Sequence, residues 1–80
     1  MPDEISKETY ERVNRLVCEY ARLCGRTNYE VAHALLSSKT LRRHGYSHAQ
    51  KGHLTEGQGR AAVKVLSFWI GSRVGEHQQG

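Results

Sequence analysis

The side chains best able to do chemistry gather in one stretch of the chain. Between Val31 and Thr55 lie Lys39, Arg42, Arg43 and Lys51, with His33, His44, His48 and His53, and no acidic residue. Outside that window eight Lys/Arg stand against eight Asp/Glu, so the whole formal charge of +4 resides in it. A local excess of cations is the footprint of a surface that meets phosphates or an acidic protein. Arg42 and Arg43 would matter most, because a guanidinium offers a flat fork of donors that fits phosphate oxygens. Lys39 and Lys51 would act as point charges. Four phosphate contacts imply a salt slope of about −3.6, from roughly −0.9 per contact. The bland alternative is a solvated basic surface, since charge runs usually face water.

Other chemistries are weaker. His44 and His48 are four apart and His53 follows five later, but Gly45 interrupts any helix that would align them. No cysteine pair has the spacing of a metal knuckle. Cys18 and Cys24 would point roughly 120° apart on one helix, which disfavours a disulfide. Reduced thiols fit a cytosolic setting. Cys18, flanked on its helix by Arg15 and Arg22, lacks a paired base. Gly57 and Gly59 give only a fragment of a phosphate-binding loop. The expectation is therefore a protein that is not an enzyme and takes no metal or cofactor.

The elements that must position these residues read as all-α. Ser6 is placed to cap a first helix from about Lys7 to Cys24, with Ile5 and Tyr10 spaced as a hydrophobic staple. Tyr10, Val13, Val17, Tyr20 and Cys24 form its apolar stripe, widened by Leu16 and Ala21. Gly25 would end it in a left-handed cap. Thr27 and Glu30 have capping-box spacing for a second helix, with Val31, Ala32, Leu35 and Leu36 inward. Lys39 to Arg43 extends that helix or makes a short separate turn. Gly45 and Gly52 bracket a stretch without periodicity, expected to be a loop. Thr55 and Gln58 have capping-box spacing again, opening a third helix with Ala62, Val65, Leu66 and Trp69 on one face. Gly71 or Gly75 should end it. The sequence thus predicts a small three-helix domain over residues 6–75, with a basic glycine-bracketed connector between helices two and three. Residues 1–5 and 76–80 are expected to be tails.

Eighty residues make one small core, and dimerisation would be one way to gain buried area. No run is long and apolar enough for a transmembrane helix, and the acidic first residues do not resemble a signal peptide. A cytoplasmic protein follows by default.

The stretch from Tyr29 to Arg43 has the order of a helix-turn-helix. Ala32 would be the small residue, Ser37 and Ser38 the turn, and Lys39, Thr40, Arg42 and Arg43 the reading residues. It departs from that motif in lacking a turn glycine and in the shortness of its second helix before Gly45. Tyr46 could stack on a base or cap the core, and the small core's need for aromatic area favours the second use. Phe68 lies about 100° from the Trp69 face. It completes a wide core or, with the Leu36 edge, anchors a partner or a second copy.

The order of features resembles the small helical C-terminal domain of phage antirepressors. The likeness is carried by an apolar helix ending in Leu23-Cys24-Gly25, a second helix ending in a basic run, and His44-Gly45-Tyr46-Ser47. It closes with Leu54-Thr55 leading into Ala61-Ala62, Val65-Leu66 and Trp69. It spans about Val13 to Ile70, and the long basic loop from Ser47 to His53 departs from it. The resemblance implies a mobile-element origin and a regulatory or host-interaction role, and carries no catalytic residues. Together these readings give nucleic acid, DNA ahead of RNA, as the expected partner, with an acidic host protein surface as the alternative.

Overall fold

A computed structural model describes residues 3–79, and the side chains of residues 3–74. Among the described residues four helices follow one another: α1 (Lys7–Cys24), α2 (Asn28–Leu36), α3 (Lys39–Arg43) and α4 (Glu56–Gln79). The segment joining α3 to α4 holds one 3-10 turn, His48–Gln50. The chain is all-α, but with four helices rather than the three expected. Lys39 to Arg43 is a helix in its own right, because Ser38 leaves α2 in extended conformation and its hydroxyl accepts from the Leu41 N–H.

The caps are those the sequence announces. The Ser6 hydroxyl accepts from the Thr9 N–H, and Gly25 turns left-handed at φ 68° while its N–H donates back to Ala21 and Arg22. Thr27 and Glu30 exchange both bonds of a capping box, and Thr55 and Gln58 do the same at 3.0 and 3.2 Å. Each satisfies donors that a helix start leaves free.

Val13, Val17 and Ala21 of α1, Val31 and Leu35 of α2, Leu41 of α3, Tyr46, and Ala62 and Leu66 of α4 make one core. Tyr20 and Trp69 close its far end with ring centroids 5.4 Å apart. Tyr10 departs from the expected stripe: it is 54% exposed.

Of the expected N-terminal tail, Asp3, Glu4 and Ile5 are tied down, and residues 1–2 lie outside the described residues. Ile5 N–H donates to Leu54 O at 3.1 Å and Glu56 N–H to Asp3 O at 2.8 Å, around an isolated antiparallel bridge between Glu4 and Thr55. The Glu56 carboxylate completes this clasp by accepting from Ser6 N–H at 2.8 Å and Thr9 Oγ1 at 2.7 Å. These bonds, with Arg60, hold its pKa at about 2.

Neither Gly71 nor Gly75 ends α4, which continues to Gln79. A glycine inside a helix costs only about 1 kcal/mol relative to alanine. It stops a helix only where the chain is drawn into a left-handed turn, and Gly71 is not among the residues of positive φ.

Candidate nucleic-acid interface

Three of the four cations are presented by α3 and its anchor. Leu41 is fully buried, so a helix of five residues is fixed to the core by one side chain. Lys39, Arg42 and Arg43 then face outward and are exposed, with Thr40 half-buried. Gly45 at φ 83° turns the chain back, and the N–H groups of Gly45 and Tyr46 return to the Arg42 and Leu41 carbonyls at 2.9 Å each.

The fourth cation sits in the connector, which is braced from inside. Tyr46 is 6% exposed, and its hydroxyl accepts from the Gly52 N–H at 3.1 Å. It therefore caps the core and is not available to stack on a base, so it leaves the set of expected contact residues. Gln58, the one buried polar side chain described, is the second brace. Its Nε2 donates to His44 O at 3.1 Å. Its Oε1 accepts from Gln50 Nε2 and from Thr55 N–H, both at 3.0 Å. Gln50 Nε2 in turn reaches His53 O at 2.9 Å. The stretch expected to be an irregular loop is thus a closed hydrogen-bonded unit. Lys51 is exposed at its apex, in left-handed conformation at φ 53°.

No ion pair neutralises these cations among the described residues. The two pairs present join Arg26 to Glu30 and Arg60 to Glu56. Charges left unpaired on a surface are free to meet an external anion. The helix-turn-helix expectation fits only in outline. The α2–turn–α3 order is there, but α3 spans about 7.5 Å at 1.5 Å per residue and offers a duplex groove one turn.

Leu36 is half-buried and packs against the core, whereas Phe68 stands 72% exposed. Among the described residues no three His, Cys, Asp or Glu side chains gather in a way that would hold a metal. None of the described helices is long and apolar enough to cross a membrane.

Beside the connector lies a half-open groove of about 910 Å³ between α1, α2 and residues 50–55. Tyr10 and Tyr29 are among its lining residues, at 54% and 78% exposure. Sequence patterning barely shows it, since Tyr10 reads as core and Tyr29 as the second residue of a helix. The one signal available was the recurrence of 28, 32 and 35/36 on α2 opposite 10, 13/14 and 17/18 on α1, two stripes at helical spacing. The roles of Gln58 and Gln50 were half legible: the capping box names Gln58, but not its bonds across to the connector.

No protein-family model, curated protein or solved structure matches the chain. The functional reading rests on its own residues.

Proposed function

We propose that this protein binds nucleic acid, DNA ahead of RNA, through the phosphate backbone. The contacts are made by Lys39, Thr40, Arg42, Arg43 and Lys51, displayed by α3 and the glycine-bracketed connector. One observation carries the reading: four exposed cations on a braced segment have no carboxylate partner among the described residues. Phosphate contacts dominate nonspecific affinity and need no base-reading helix, which suits the shortness of α3. A regulatory, cytoplasmic role and a mobile-element origin, as the antirepressor resemblance implies, belong to the same proposal.

The test is fluorescence anisotropy with labelled oligonucleotides across a salt series. A slope of about −3.6 in log K against log salt is expected, falling to about −1.8 in the Arg42→Glu/Arg43→Glu variant. Absence of binding at about 50 mM salt, where such contacts are strongest, defeats the proposal.

A second reading is favoured by Phe68, a large side chain left 72% exposed. In it the basic edge meets an acidic host protein, or a second copy of the chain, and Phe68 is the anchor. Sedimentation of the purified protein and of Phe68→Ser tests the homodimer. A partner retained from nuclease-treated bacterial lysate and lost in Phe68→Ser tests the host protein.

A further inference from the structure

We infer that the groove beside the connector receives the bases of single-stranded DNA whose phosphates lie on the basic edge. The inference rests on the reading of that edge as a phosphate-binding surface, and names the form of nucleic acid it takes.

The groove adjoins the connector half of the edge. Gln50 and Gly52 both line the groove, and Lys51 stands exposed between them. Leu36 lines the opposite wall, three residues before Lys39. The two walls meet there, since a methyl group placed on Gly52 would touch Leu36 Cδ1 at 3.9 Å. A chain whose backbone follows Lys39 and Lys51 therefore has the groove within reach of its bases.

The lining suits unpaired bases. Tyr10 and Tyr29 offer exposed rings, and the Tyr29 ring is backed by His33 at 6.3 Å with a 30° tilt. Stacking on aromatic faces combined with a cationic track is how single strands are held without sequence readout. A duplex buries its base faces and cannot use such rings. A volume of 910 Å³ lies near the top of the range for ligand sites, roughly 300–1,000 Å³, so the groove is large enough to admit bases.

The walls also favour DNA over RNA. Ile5, Val13, Val17, Leu35, Leu36 and Leu54 are aliphatic and suit the methyl group that thymine has and uracil lacks, while Asn14, Asn28 and Gln50 offer polar partners to base edges. The groove has one lining carboxylate, Glu4. It repels phosphate, so the backbone runs along the Lys51 side with the bases turned inward.

The test compares an oligothymidylate, an oligouridylate of equal length and a mixed-sequence DNA duplex. Each is titrated against the wild-type protein, Tyr29→Ala, Tyr29→Phe and Arg42→Glu/Arg43→Glu. Tyr29 is mostly exposed, so its replacement leaves the core intact, and circular dichroism verifies this. The expected result is tightest binding of oligothymidylate. Tyr29→Ala should weaken it about 5- to 160-fold, the usual effect of removing a stacked ring, while Tyr29→Phe keeps it and duplex affinity stays unchanged. Equal affinity for duplex and single strand, or no effect of Tyr29→Ala, overturns the inference. If Arg42→Glu/Arg43→Glu still weakens binding and halves its salt slope in that case, the basic edge survives without the groove. Tighter binding of oligouridylate overturns the choice of DNA. Failure of all three probes to bind at low salt removes both readings together.

Discussion

Two glycines of α4 are predicted to respond in opposite senses to the same substitution. Gly71 is exposed, and a methyl group added there meets nothing within 4 Å. Gly71→Ala should then gain the full helix-propensity difference, about 1 kcal/mol, or a rise in Tm of about 4–8 °C for a domain this small. Gly59 is buried against the N-terminal clasp. A methyl group there would stand 2.6 Å from Ile5 Cδ1, 2.9 Å from Thr9 Cγ2 and 3.0 Å from Ile5 Cγ1. The end of Ile5 can rotate away. Thr9 cannot yield as easily, because it is β-branched and its hydroxyl is held by Glu56 at 2.7 Å. Overpacking of this kind costs about 1–3 kcal/mol, so Gly59→Ala should fall below Gly71→Ala by about that amount. The measurement is thermal and urea unfolding followed by far-UV circular dichroism. Ile5→Val removes the atom at 2.6 Å, so Gly59→Ala should cost less in that background, with a coupling of about 0.5 kcal/mol or more. A Gly59→Ala protein as stable as Gly71→Ala would refute the close approach of α1 and α4, and with it the clasp.

Further predictions follow from the same contacts. Glu56, held at about 2 against an ordinary value of 4.5, contributes stability that is complete above pH 4.5. That stability is lost as pH falls toward 2; Glu56→Gln should flatten the dependence of Tm on pH across this interval. Tyr46→Phe deletes the acceptor for the Gly52 N–H, which should cost about 1 kcal/mol and speed hydrogen exchange at that amide. Lys51→Gly relieves a left-handed residue and should raise stability by about 1 kcal/mol, yet weaken nucleic-acid binding by removing one phosphate contact. Equal affinity in this variant would show Lys51 to be solvated only.

Local signals in the sequence predicted local structure well. Ser6, Thr27 and Thr55 mark helix starts because each cap is completed within three residues, and Gly25 marks an end because it alone can turn left-handed there without strain. The failures lie where distant contacts decide. Gly71 and Gly75 read as stops because isolated glycines carry no record of whether the chain must turn. Tyr46 was ambiguous by composition and resolved by a bond to Gly52 six residues on. The basic edge was visible as charge, but its bracing by Gln58 was not, since that depends on α4 lying beneath the connector. The groove left only the two stripes on α1 and α2 as a trace, for its walls come from Ile5, two helices and the connector and meet only once the chain has closed.

The clasp between Asp3–Thr9 and Leu54–Glu56 also bears on when the molecule becomes competent. Its bonds join residues about fifty apart in sequence, and the most extensive helix–helix interface pairs the first long helix with the last. Closing a loop of that length costs about 3.5 kcal/mol of chain entropy, spent before the contacts that repay it exist. Folding should accordingly be slow for an all-helical chain, because speed follows the locality of contacts. On the ribosome, α1 to α3 and the connector emerge first and wait for α4, whose Gln58 and Leu66 complete their support. The cationic edge therefore takes its braced form only once the first half of α4 has been made and has packed; before that, the chain carries the same charges without their fixed arrangement.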